Sequence, residues 1–390
     1  MLLACQKHLF ALDPNVHYLN GAAYSPGLQA SVEKGLAGLR LKSETPYAIR
    51  PQDHFDTGER VRSLFSRLID AADADRIALI PAVSYGMGIV AQNLYRWPGL
   101  AKKKHIVLIG EEFPNNVYAF ERTCQAHGLA VKTVDRPQAA ENRGARWNEM
   151  LLESVTDQTA LVVASRVHWI YGTVFDLEAL GRRCREQGAM LVVDATQSAG
   201  VMPFDQQAVQ ADAVICAAYK WLLGPYGTGL GYFGPFFDDG VPIEESWMNR
   251  ADSDQFSQLT RYQRAYRPKA QRYNAGEFSQ FSQLPMLGAA LEQLLAWEPL
   301  QLQAYCQELS SRFVPQWEAL GCQLEATAYR AGHLFGLQLP DGADYNALVQ
   351  RLAEHRCYVS LRGGALRVSP NVYNDAADLA VLTEVLADSI

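Results

Sequence analysis

Cysteine is sparse and forms no framework. The seven cysteines (Cys5, Cys124, Cys184, Cys216, Cys306, Cys322, Cys357) are odd in number, scattered, and include no CxxC pair. Such usage points to buried thiols in a reducing compartment, so a cytoplasmic location is expected. No His/Cys/Asp cluster has zinc-like spacing, and no metal is expected. No apolar run approaches the roughly 18 residues that a membrane-spanning helix needs. The opening Met1-Leu2-Leu3-Ala4-Cys5 lacks the charged and apolar regions of a lipoprotein signal. Basic charge is also short: 35 Lys and Arg against 42 Asp and Glu leave a net charge of −7. Neither a nucleic-acid nor a membrane partner is expected, and Lys102-Lys103-Lys104 reads as a solvated face. A glycine-rich Gly-x-Gly-x-x-Gly after the first strand is missing, which argues against a nicotinamide-dependent Rossmann enzyme. There is no internal repeat.

What is present is an ordinary globular chain. Of 390 residues, 48% are hydrophobic and 20% charged, enough for two or three domains. Strands are expected at 76–80, 105–109, 160–164 and 190–193. Helices are expected at 84–95, from Pro114 to a stop at Gly128, and from an Asp176 cap to Gly188. Apolar strands alternating with amphipathic helices predict a mostly parallel sheet covered on both faces. After about residue 285 the pattern changes to helices over 286–298 and 301–319. Short strands at 334–339, 357–361 and 365–368 follow, and a last helix begins near Asn374. The fold class is therefore α/β: a large domain over 21–284 and a smaller C-terminal α+β domain over 285–390. Segment 1–20 is expected to lie against the small domain. The polar, aromatic stretch 240–270 has no period and is long for a structureless loop, which marks it for function.

Two residues carry chemistry. Asp194 directly follows the apolar run 190–193, where parallel sheets bind ligands. It suits a heterocyclic cation, or alternatively caps a turn or pairs with a base. Lys220 follows the apolar run 213–218 and precedes Gly224-Pro225-Tyr226-Gly227-Thr228-Gly229. Burial disfavours its charge and makes the amine nucleophilic, as Schiff-base chemistry requires. The alternative is a lysine reaching out to water. Together they fit pyridoxal 5′-phosphate, which needs a lysine for its aldehyde and a carboxylate for its pyridinium nitrogen. Gln197 lies within reach of the ring oxygen. Ser84, Tyr85 and Gly86 open a helix, whose N-terminal amides bind phosphate, and Tyr219 adds a hydroxyl.

With Asp-x-x-Gln at 194–197, Tyr-Lys at 219–220 and the glycine loop, the chain resembles the class V aminotransferase and cysteine desulfurase-like group of fold type I pyridoxal-phosphate enzymes. The resemblance runs from the 17–23 segment (His17 to Ala23) to Leu366-Arg367-Val368-Ser369-Pro370. It implies a large domain with a seven-stranded type of sheet and a homodimer with active sites at the interface. Lys220 would carry the cofactor as a Schiff base and act as the base, with Asp194 on the ring nitrogen and Phe113 stacked on the ring. Arg367 would bind the α-carboxylate of the small-molecule amino-acid substrate. Trp169 beside Phe113-Pro114 is similar to kynureninases. His168 is a candidate acid–base group, and Asn20 and Arg250 are candidate substrate contacts.

Departures from the group narrow the activity. Phe113 stands where desulfurases stack a histidine, and the loop 361–365 (LRGGA) has no nucleophilic cysteine; Cys357 precedes it. Glu277 replaces a threonine that reaches a partner's phosphate in many relatives. The expected activity is transamination. A carbon–sulfur or carbon–carbon lyase or hydrolase comes second and an epimerase third. Some transcription regulators use a similar domain as a sensor, but no helix-turn-helix precedes residue 20.

Overall fold

The computed structural model describes residues 3–139 and 141–390. At its centre is a seven-stranded sheet. Its strands are β1 (Ile77–Ile80), β2 (His105–Ile109), β3 (Ala130–Val134), β4 (Thr159–Ser165), β5 (Met190–Asp194), β6 (Ala213–Ala217) and β7 (Gly229–Phe233). They lie in the order β1-β7-β6-β5-β4-β2-β3. β7 pairs antiparallel with both neighbours, and the remaining pairs are parallel. Every residue of β4, β5 and β6 is buried, as a sheet covered on both faces requires. Successive side chains alternate between two apolar layers: Val107 and Ile109 enter one, Ile106 and Leu108 the other.

The helices cover those layers. They are α1 (Gln29–Glu44), α2 (Asp56–Leu68), α3 (Val83–Asn93), α4 (Asn115–His127), α5 (Arg143–Ser154) and α6 (Leu177–Gln187). α4 starts after Pro114 and stops at Gly128, whose φ of +65° is left-handed. α6 begins where Asp176 accepts from the Ala179 amide at 2.9 Å. α7 (Gln283–Trp297) then leads to α8 (Pro299–Ser311) and α9 (Val314–Ala319). The continuous helix expected over 301–319 is thus broken after Ser311. Pro315 has no amide to donate back along the helix, so the chain restarts there.

The C-terminal part holds a three-stranded antiparallel sheet. Its strands are β8 (Phe335–Leu337), β9 (Ser360–Arg362) and β10 (Ala365–Val368), in the order β9-β10-β8. α10 (Tyr345–Glu354) and α11 (Ala376–Ala387) pack on it. The single strand expected at 357–361 is two: Cys357–Tyr358 pairs in parallel with His17–Tyr18, and β9 pairs with β10. The N-terminal segment reaches this region elsewhere too, as the Gln6 amide donates to Val372 O at 2.6 Å.

Candidate active site

β4, β5 and β6 all end on one side of the sheet, and beyond their ends lies a cavity of about 290 Å³. Asp194 is the last residue of β5, and Lys220 follows β6 after a short turn. Both line the cavity with Phe113, Trp169, Gln197 and Tyr219. The sequence-expected pair is therefore brought together.

Lys220 is buried. Burial, reinforced by the charge of Arg367 and opposed by Asp194, lowers its amine to about 8. Its Nζ makes no ion pair among the described residues and stands 5.5 Å from the centre of the Phe113 ring. An amine so placed is partly neutral near physiological pH and so nucleophilic. Asp194 is fixed by two donors: Asn116 Nδ2 to Oδ2 at 3.0 Å and the Thr196 amide to Oδ1 at 2.9 Å. Gln197 is held on three sides. It accepts from Trp221 Nε1 at 2.8 Å and donates to Ala22 O at 3.2 Å, while His333 bonds its carbonyl at 2.7 Å.

The opposite wall is aromatic. Phe113 meets Trp169 edge-on at 5.4 Å, and Trp169 Nε1 donates to Glu111 O at 2.7 Å. Arg367 is buried against Trp169. Its Nη1 donates to Trp169 O at 3.0 Å, and its Nε has no partner. Buried donors are almost always satisfied, so this N–H is an exception; Arg367 itself is not part of the cavity lining. Burial, then the nearby Arg362, lowers Arg367 to about 10.

Other expected residues lie elsewhere. α3 begins at Val83, so Pro81, Ala82 and Val83 form the wall, and Ser84, Tyr85 and Gly86 do not line it. Ser84 is exposed, and the Tyr85 hydroxyl donates to Glu244 at 2.8 Å. A Cβ on Gly86 would stand 2.8 Å from Ile215, so this glycine lets α3 approach the sheet. The amides of Tyr85 and Gly86 turn back on Ala82 O, leaving those of Val83 and Ser84 as the helix's unpaired donors. His168 is fully buried, stacks on Tyr171 at 5.2 Å and bonds Gly110 O at 3.2 Å. Burial lowers it to about 3, so it is neutral and faces away from the chemistry. Arg250 lines a separate cleft of about 320 Å³, stacked on Tyr266 and paired with Glu245. Asn20 does not line the cavity; it bridges to Ser369, and its Oδ1 has no partner. Glu277 is exposed, with a left-handed φ of +54°.

Sequence reasoning missed Val83, Glu112, Asn116 and Thr228. Val83 is one residue upstream of the expected helix start. Glu112 and Asn116 flank the flagged Phe113 but carry no pattern of their own. No group of three or more His, Cys, Asp or Glu among the described residues is placed to hold a metal.

Comparison with known proteins matches residues 50–382 to the family model for class-V aminotransferases. An uncharacterized aminotransferase of Bacillus subtilis, YcbU, is 25% identical over 85% of this chain and 84% of its own. A kynureninase of Pseudomonas fluorescens is 26% identical over 67% of this chain and 61% of its own. Among solved structures, a cysteine desulfurase of Thermococcus onnurineus NA1 superposes with a TM-score of 0.82. It is 18% identical and covers 99% of this chain and 98% of that one, so the shared property is the fold.

Proposed function

The chain belongs to the class-V aminotransferase family, and from that premise we propose that it is a pyridoxal-phosphate-dependent aminotransferase acting on an amino acid. The cavity suits the cofactor: it presents a buried amine without an ion-pair partner, a buried carboxylate, an aromatic face and a helix N-terminus. Lys220 would hold the aldehyde carbon, Asp194 the ring nitrogen, Phe113 the ring face and Gln197 the ring oxygen. The amides of Val83 and Ser84, with the hydroxyl of Tyr219, suit the phosphate. When bound, the cofactor supplies an electron sink for negative charge at the substrate α-carbon.

This chain's own groups do the rest. Arg367, packed against Trp169, would bind the substrate α-carboxylate, as a planar guanidinium does well. Phe113 and Trp169 exclude water from one wall. Lys220, neutral in part, takes the proton from the α-carbon and returns it. The observation that carries the reading is that the Lys220 amine is buried in the same cavity as Asp194 and Phe113 and makes no ion pair among the described residues. Tyr219 is pushed up to about 12, chiefly by burial, and His168 is turned away.

A second reading, a carbon–carbon or carbon–sulfur lyase or hydrolase, is favoured by the Phe113–Trp169 pair and the similarity to a kynureninase. Persulfide chemistry is not supported. Cys357 is buried in its short strand, and burial pushes its thiol up to about 12. Assembly as a homodimer belongs to the same reading. No described helix is long and apolar enough to cross a membrane.

The test is the visible spectrum of the cofactor-loaded protein with single L- and D-amino acids and no oxo acid. Bleaching that a 2-oxo acid restores supports transamination and names the donor. An unchanged spectrum with release of pyruvate, alanine or sulfide favours the second reading.

A further inference from the structure

Glu112 is a carboxylate that the scheme above leaves idle. It follows β2, lines the same cavity as Asp194 and is 7% exposed. Four donors converge on it. Oε1 accepts from the Ser165 amide at 3.2 Å and the Ser165 hydroxyl at 2.6 Å. Oε2 accepts from the Phe113 amide at 3.0 Å and Asn116 Nδ2 at 3.0 Å. Three of the four are N–H groups that can only donate, and the Ser165 hydroxyl can donate as the fourth, so the nest suits the anion. No cation pairs with it among the described residues.

Asn116 links it to the site. Its Nδ2 carries two hydrogens; one goes to Glu112, the other to Asp194 Oδ2 at 3.0 Å. The amide's orientation is forced, because turning it would set Oδ1 against both carboxylates. Two buried carboxylates thus share one amide nitrogen. Burial, and then repulsion from Asp194, raises the proton affinity of Glu112. Such a pair lacks a counter-charge, which a bound cation would supply.

We infer that Glu112 is a positioning residue: its charge, passed through Asn116, fixes Asp194 as the counter-ion of a protonated heterocycle and strengthens the hold on that ring. The inference rests on the cofactor reading given above. Through the Phe113 amide the same carboxylate also sets the stacking residue, so one buried group registers both the ring face and the ring nitrogen.

The experiment uses the full chain and pyridoxal phosphate labelled with ¹⁵N in the ring. Glu112→Gln keeps the shape and removes the charge. Its dissociation constant for the cofactor, from equilibrium dialysis, is expected to rise about tenfold or more, the scale of one charged hydrogen bond. The bound ring-nitrogen resonance is expected to move toward the unprotonated position. Wild-type affinity and an unmoved resonance overturn the inference, even if the variant unfolds at a lower temperature, because that loss alone is structural. If Glu112→Gln does not fold, Asn116→Ala removes the amide through which the charge acts; an unmoved ring-nitrogen resonance in that variant likewise overturns the inference. The cofactor reading fails separately, if the wild-type chain does not bind pyridoxal phosphate at all.

Discussion

Trp221 donates its indole N–H to Gln197 Oε1 at 2.8 Å, so the residue next to Lys220 sets the orientation of a second cavity residue. Trp221 also meets His333 edge-on at 4.5 Å, and His333 bonds the Gln197 carbonyl. Trp221→Phe keeps an aromatic ring and leaves Oε1 buried without its donor. The cofactor-free variant is expected to lose about 1–3 kcal/mol in urea unfolding, the penalty for an unsatisfied buried acceptor. Unchanged stability would mean that the bond does not hold Gln197.

Arg367→Ala removes a guanidinium whose recorded bond is to Trp169 O. If its guanidinium receives the substrate carboxylate, KM for the amino acid should rise by roughly 10- to 100-fold, the scale of a charge-assisted bond. Bound cofactor per chain should stay at the wild-type level. Steady-state kinetics with a cofactor assay reads both. An unchanged KM would assign the carboxylate to another group.

His168 is held neutral, because burial lowers it from 6.5 to about 3. The unfolded chain therefore takes up a proton below about pH 6.5 that the folded one refuses, and stability falls as pH drops through that window. His168→Gln should lose less stability between neutral and mildly acidic pH than the wild type does. Its pH–rate profile should keep its shape, since the imidazole does not titrate there. A lost limb in that profile would return His168 to the chemistry.

The parallel strands were legible because burial on both faces writes them as continuous apolar runs, as in 105–109 and 190–194. β7 was not. Its Gly229-Leu230-Gly231-Tyr232-Phe233 carries little apolar signal, and a Cβ on Gly229 would stand 2.8 Å from Cys216 O, so close approach selects glycine there. β3 was also missed, being an edge strand with four of five residues exposed. In the site, Asp194 and Lys220 were visible because a charged residue directly after an apolar run is conspicuous. Glu112 and Asn116 were not, because their meaning lies in hydrogen bonds across β2, β4 and β5. Arg250 was overread: an irregular aromatic stretch signalled a cleft, but a different one from that of Lys220.

Lys220 allows the sharpest test of the site's electrostatics. Its amine falls from 10.5 to about 8, chiefly through burial. Below pH 8 the cofactor-free folded protein therefore carries a buried charge that the unfolded chain solvates. Between pH 8 and 10.5 the unfolded chain holds a proton that the folded one has released, so stability rises with pH across that window. Lys220→Met removes the buried charge. It should be more stable than wild type at pH 7, by on the order of 3 kcal/mol, with the gain shrinking toward pH 10. The same variant should retain no cofactor mass after borohydride reduction, whereas the wild type should retain one cofactor per chain. Wild-type capture of the cofactor should accelerate as pH rises through about 8, where the amine becomes neutral. Equal stabilities at pH 7 together with capture that keeps accelerating well past pH 8 without levelling would show a solvated ammonium, and Lys220 would then lack, near neutral pH, the neutral amine that both nucleophilic attack and proton transfer at the α-carbon require.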